Sequence, residues 1–272
     1  MGPAERKNDY EGILFFDLDG TLLENRSDRI PESAMDAIEK LRGKYVICIC
    51  TGRDMDTHNA RKYAERVRPD IIIHHNGTKI TEGEKELFRH EMDRDLLKSV
   101  YDYSRKKGFC MGLTISDGDY YTIPELKTMS DITYRGFSDR RYRPFEEVFE
   151  KELPVSALSF AGDIKTVKKD VEREFPELTL FAFNNGTGAD VVEAGFTKSD
   201  GVRRVREYYG IPKEKTYAFG DSPNDIPMLK EAGTSVAMGN ADESVKKEAD
   251  LITDDITRDG IYKALVALKI LK

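Results

Sequence analysis

Apolar residues fall in short unbroken runs toward both ends of the chain and in a different rhythm between them. Residues 12–16, Tyr45–Cys50 and the triplet Ile71, Ile72, Ile73 are apolar throughout. A strand that reads as a continuous run, without alternation, is one buried on both faces, as in a parallel sheet. Helical spacing lies between these runs. Ala34, Ile38 and Leu41 are opened by Pro31 and closed by Gly43, and residues 60–68 stop at Pro69. The far end repeats the scheme, with strands predicted over 216–219, 235–238 and Leu251–Ile252, and helices over 201–209, Ile226–Glu231 and 260–271. This β-α alternation predicts an α/β fold, a Rossmann-like doubly wound parallel sheet.

The middle of the chain breaks that rhythm. Residues 86–91 and 113–123 read as strands that alternate or turn, the second at Asp117-Gly118. Two stretches carry helical stripes: Leu96, Leu97, Val100 and Tyr101, then Ile164, Val167, Val171 and Phe175. Asp93 and Asp163 are their expected N-caps. Strand-like runs at 155–161 and 178–183 lie beside the second stripe. The expected organisation is a core of residues 1–81 and 186–272, interrupted at 82–185 by an α+β cap.

Charge narrows the function. The 272 residues carry 43 Lys+Arg and 50 Asp+Glu, a net charge of −7. That balance argues against a nucleic-acid or anionic-membrane surface, which needs clustered positive charge. It leaves open a small anionic substrate at one local site. No apolar run approaches the roughly 18 residues of a membrane helix, and residues 1–10 are polar, without a signal-peptide apolar region. The three cysteines, Cys48, Cys50 and Cys110, have no Cys-x-x-Cys spacing and read as reduced thiols of a cytoplasmic protein.

In an open α/β sheet, ligands gather at the carboxyl ends of the strands. After the first apolar run comes Asp17-Leu18-Asp19-Gly20-Thr21. Thr51-Gly52-Arg53 follows the second, and Gly220-Asp221-Ser222-Pro223-Asn224-Asp225 follows the run at 216–219. Carboxylates converging on one crevice require a compensating cation, and an oxygen-only donor set selects a hard ion such as Mg²⁺. A phosphate ester and one lysine complete the balance. Lys198, where the chain re-enters the core at a helix start, is the candidate lysine. Asp17 is the candidate nucleophile, forming an aspartyl-phosphate. Asp19 is the candidate general acid on the leaving group and then the base for water.

Asp17-x-Asp19-Gly20-Thr21, Thr51-Gly52-Arg53, Lys198 and Gly220-Asp221-x-x-Asn224-Asp225, in that order, resemble the haloacid dehalogenase superfamily. More narrowly the chain resembles the Cof-like phosphatases, with Asn76-Gly77 and the run Ala189-Asp190-Val191-Val192-Glu193 adding to the likeness. The resemblance implies a Mg²⁺-dependent phosphatase. It makes Asp17 nucleophile and metal ligand, Asp19 a ligand through its backbone carbonyl, and Asp221 the third protein ligand. Thr51 and the Gly52 amide would hold the phosphoryl oxygens, Lys198 would neutralise them, Asn224 would help hold the phosphate, and Asp225 would orient Lys198. Only nine residues separate Thr21 from Pro31, whereas 146 separate Thr51 from Lys198. The cap is therefore of the kind inserted between the second and third motifs, a lid.

The expected substrate is a small phosphorylated metabolite, a sugar phosphate foremost. A phosphomutase or phosphotransferase would use the same aspartyl-phosphate and is the alternative. A non-enzymatic phospho-aspartate switch would share the acidic pocket and lysine but has no need of a lid. Arg53 and the four histidines (His58, His74, His75, His90) read as structural or rim residues. The basic run 134–143, with Arg135, Arg140, Arg141 and Arg143, reads as a solvated loop, with a second anion-binding role as the sharper alternative.

Overall fold

In the computed structural model the described residues are 10–25, 27–57, 60–115, 118–122, 142–161, 164–183, 186 and 188–272. His58, Asp117, Asp163 and the basic run up to residue 141 lie outside them. The chain forms two compact units. The first comprises Met1–Gly52, Ala64–Phe88 and Phe196–Lys272, and the second comprises Arg53–Tyr63 and Arg89–Gly195.

The first unit is built on an eight-stranded sheet. Its strands are β1 (Gly12–Asp17), β2 (Tyr45–Cys50), β3 (Ile71–His74), β4 (Lys79–Glu82), β5 (Lys85–Arg89), β12 (Thr216–Gly220), β13 (Thr234–Ala237) and β14 (Leu251–Ile252), in the order β14-β13-β12-β1-β2-β3-β4-β5. From β14 to β3 every pairing is parallel, and β4 runs antiparallel to β3. Every residue of β1 and of β2 is buried, as their unbroken apolar runs require. The strand order reverses beside β1, the topological switch point at which a doubly wound sheet opens a crevice.

Helices cover this sheet in pairs. Glu32–Leu41 packs against the terminal helix Gly260–Ala267, and Lys198–Tyr209 packs against Ile226–Glu231. The helix Lys198–Tyr209 is also tied to β4, because the hydroxyls of Tyr208 and Tyr209 donate to the two carboxylate oxygens of Glu82 at 2.9 and 3.0 Å.

The second unit holds a six-stranded sheet of β6 (Cys110–Ile115), β7 (Gly118–Tyr121), β8 (Tyr142–Pro144), β9 (Leu158–Ala161), β10 (Leu178–Ala182) and β11 (Gly188–Glu193), in the order β10-β11-β9-β6-β7-β8. Its pairings are antiparallel except that of β7 with β8. The helices Arg94–Lys107 and Ile164–Glu174 supply Leu97, Val100, Ile164 and Val171 to a core shared with Met111, Phe160, Leu180 and Val191. Asp93 caps the first of them, accepting from the amides of Asp95 and Leu96.

Besides the short segment Arg53–Tyr63, the second unit runs from 89 to 195, where the sequence predicts 82 to 185. The reason is strand pairing: β4 and β5 extend the eight-stranded sheet, and β11 is hydrogen-bonded between β10 and β9. β11 covers the Ala189–Glu193 run noted above, which is a strand of the second unit. On the first-unit side, Phe88 and Phe196 stack at 6.2 Å with the Arg204 guanidinium 4.0 Å above Phe88. On the second-unit side, His90 pairs with Glu193.

Candidate active site

The register of the parallel strands assembles the site. Phe16 lies level with Phe219 and Asp17 level with Cys50. The residues that follow each strand, Thr51 and Asp221, therefore emerge beside Asp17. The Phe16 and Phe219 rings stack at 4.7 Å and are fully buried, one residue before Asp17 and Gly220.

Lys198 is the centre of charge. It is the first residue of its helix, seated by a capping box in which Thr197 and Asp200 satisfy each other's backbone amides. Its side chain is fully buried, and Nζ donates to Asp17 Oδ1 and to Asp225 Oδ1, both at 2.6 Å. The other oxygen of Asp225 accepts the amides of Asp221 and Ser222 at 3.0 Å each. Burial alone would pull the Lys198 ammonium toward neutrality, but the two carboxylates outweigh it and hold it charged well above its ordinary range.

The site carries more negative charge than one lysine offsets. Burial, then the Asp225 charge, push Asp17 well above the usual carboxylate range, with Lys198 opposing. The same two causes push Asp221 up to about 7, opposed by hydrogen bonds from Thr21 and Ser222. Oxygens of Asp17, Asp221 and Asp225 lie within 4.8 Å of one another, close enough to share a cation. Asp225 has spent both oxygens on Lys198 and two amides, so Asp17 and Asp221 keep the donor capacity. Buried oxygen donors with unfavourable charge of this kind fit a hard divalent ion.

The loop after β1 reaches the same place. Gly20 has φ +89°, and a Cβ there would stand 2.3 Å from Asp221 Oδ2. Only glycine lets this loop lie on that carboxylate. Thr21 Oγ1 donates to Asp221 Oδ1 at 3.2 Å, and the half-buried Asp19 precedes it.

Thr51 is buried and held at both ends, its amide donating to Ile73 O and its carbonyl accepting from Asn76, each at 2.9 Å. Asn76 adopts φ 54° to make that bond, and its Oδ1 accepts from Asn224 Nδ2 at 3.1 Å. Asn76 thus connects the second and fourth motifs, a role that its place in the sequence does not announce. Gly77, at φ +115°, would put a Cβ 2.1 Å from the Thr197 carbonyl, so it also sets the seat of Lys198. Arg53 falls in the second unit, its guanidinium 5.6 Å from the Tyr63 ring centre. His74 is buried on Thr81, and Arg143 pairs with Glu147.

This core and these motifs have known counterparts. The profile of the haloacid dehalogenase-like hydrolases matches residues 14–265. The chain is 28% identical to the 5-amino-6-(5-phospho-D-ribitylamino)uracil phosphatase YitU of Bacillus subtilis (strain 168) over 269 residues, covering 93% of this chain and 96% of that protein. It is 26% identical to the phosphoglycolate phosphatase of Methanobrevibacter smithii, with 92% and 94% covered. Among solved structures, the subclass IIB sugar phosphatase BT4131 superposes with a TM-score of 0.85 at 30% identity, over 96% of this chain and 100% of that one. BT1666 of Bacteroides thetaiotaomicron gives 0.86 at 28% identity over 99% of each. The chain belongs to the haloacid dehalogenase-like hydrolases. Within them it is of the Cof-like kind, with its large insertion between the second and third motifs.

Proposed function

We propose that the protein is a Mg²⁺-dependent phosphatase of small-molecule phosphomonoesters, sugar or alditol phosphates foremost. The observation that carries this reading is the buried Lys198 bridging Asp17 and Asp225 beside Asp221. The relatives support it: each acts, by its name, on a phosphate of a small molecule, although their leaving alcohols differ.

Asp17 attacks phosphorus through its carboxylate and becomes an aspartyl-phosphate. Lys198 holds one oxygen of that carboxylate in place and offsets the charge of the phosphoryl group, with Asp225 fixing the lysine. Asp19 delivers a proton to the leaving oxygen and later takes one from the water that releases phosphate. Thr51 and the Gly52 amide hold phosphoryl oxygens, and Asn224 shares its amide between Asn76 and the phosphate. Asp17, Asp221 and the Asp19 carbonyl would hold Mg²⁺, which when bound neutralises the phosphate and stabilises charge developing on its oxygens.

The test is release of inorganic phosphate from p-nitrophenyl phosphate and from a panel of alditol, glycolate and hexose phosphates, with Mg²⁺ and with EDTA. Release that needs Mg²⁺ and disappears in Asp17→Asn is expected. Undiminished turnover in Asp17→Asn would overturn the nucleophile assignment.

A further inference from the structure

The loop that carries Asp19 is held by a residue 220 positions away. Asn240, after β13, donates from Nδ2 to the Gly20 carbonyl at 2.8 Å and accepts the Ile256 amide on Oδ1 at 2.9 Å. Both faces of its side-chain amide are therefore engaged, which fixes its orientation. The Gly20 amide donates to Leu23 O at 2.7 Å, and the Asp221 carboxylate fills the space that a Cβ on Gly20 would need. Gly20 is thus held at its amide and at its carbonyl.

The neighbours of Asn240 grip the opposite side. Met238 N donates to Gly220 O, and Asp242 N to Asp221 O, each at 3.0 Å. Residues 238–242 therefore set Gly20 and Asp221 in one frame. In that frame Asn240 is the only side chain among the described residues seen to bond the Gly20 carbonyl. A glycine at φ +89° has an unusually free backbone, so without that bond the Gly20-Thr21 peptide loses its side-chain anchor and the turn that carries Asp19 loosens.

We propose that Asn240 is a positioning residue for the general acid: it fixes the Asp19-Gly20 segment so that Asp19 meets the leaving oxygen. This rests on the reading of Asp17 as nucleophile and Asp19 as acid. A positioned acid contributes roughly 10²–10⁴-fold, and misplacement by about 1 Å loses a large part of that.

The experiment follows the first turnover of two esters by rapid quench with Mg²⁺. An alkyl phosphate such as β-glycerol phosphate needs a proton on its leaving alkoxide, whereas p-nitrophenyl phosphate leaves as a stable phenolate. In Asn240→Ala the first turnover of the alkyl ester is expected to fall about 10–100-fold, with nitrophenolate release within about twofold of wild type and thermal stability near it. Asn240→Asp keeps an acceptor for Ile256 but has no donor for Gly20, and should show the same split. Equal slowing of both esters, or of neither, overturns the proposal while leaving the phosphatase reading intact. A wild-type protein that releases phosphate from neither ester overturns both.

Discussion

Lys198 Nζ lies 2.6 Å from Asp225 Oδ1, and neither side chain has any exposed surface. The pair has no water to soften the loss of either partner. Its environment is completed by Asp17 and by the two amides on the far oxygen of Asp225.

Asp225→Ala should be destabilising by about 3–5 kcal/mol, the usual cost of stranding one member of a buried ion pair. It also leaves the Asp221 and Ser222 amides without an acceptor. Urea denaturation measures the loss. Asp225→Asn retains acceptor capacity for those amides and should lose less; equal stability of Asp225→Ala and wild type would remove the pair from any structural role.

Metal affinity should depend on pH. Asp221, pushed up to about 7, must lose its proton to serve as a ligand, so Mg²⁺ binding should weaken as pH falls below about 7 and level off above it. Calorimetric titration at pH 5.5, 7 and 8.5 tests this. Stability of the metal-free protein should show the opposite trend. A carboxyl whose folded pKa is raised contributes stability fully present below its unfolded value near 3.8 and lost as pH rises through about 7. In EDTA, denaturant midpoints should therefore decline from pH 5 to pH 8, and Mg²⁺ should reverse much of that decline.

Gly20→Ala forces a methyl group to within 2.3 Å of an Asp221 oxygen and strains a φ of +89°. Relief requires either the loop or the carboxylate to move. Strain and overpacking of this kind cost about 1–3 kcal/mol. Turnover and Mg²⁺ affinity should both drop by about tenfold or more. An unaltered Mg²⁺ affinity would show that the loop does not bear on Asp221.

Cys48, Cys50 and Cys110 are buried, with the Cys48 and Cys50 sulfurs 3.9 Å apart and the Cys48 thiol pushed up by burial. Thiolate is the reactive form, so Ellman's reagent should label none of the three in the folded protein and all three in guanidinium. Rapid labelling of the native protein would contradict this packing.

Much of the core fold was legible in the chain. Strands buried on both faces leave unbroken apolar runs, as in Tyr45–Cys50; the short strand Leu251–Ile252 and the helix Ile226–Glu231 also take the bounds the sequence predicts. The apolar pattern predicts neither β4 nor β11. β4 is a four-residue edge-side strand with Lys and Glu at its ends, and β11 carries Asp190 in its middle, so neither gives a run or a clean alternation. The boundaries at 88/89 and 195/196 follow from the pairing of β4, β5 and β11.

The sequence alone determined which residues end each core strand, and so which carboxylates, hydroxyls and lysine could meet; that information is local, because burial and turn chemistry are written residue by residue. The tertiary structure decided how they are held. Asn76 reaches Asn224 across 148 positions, and Asn240 reaches Gly20 across 220. A hydrogen bond between residues so far apart has no period and no neighbouring signal. It exists only once parallel pairing has brought the ends of β1, β2, β12 and β13 to the same edge of the sheet.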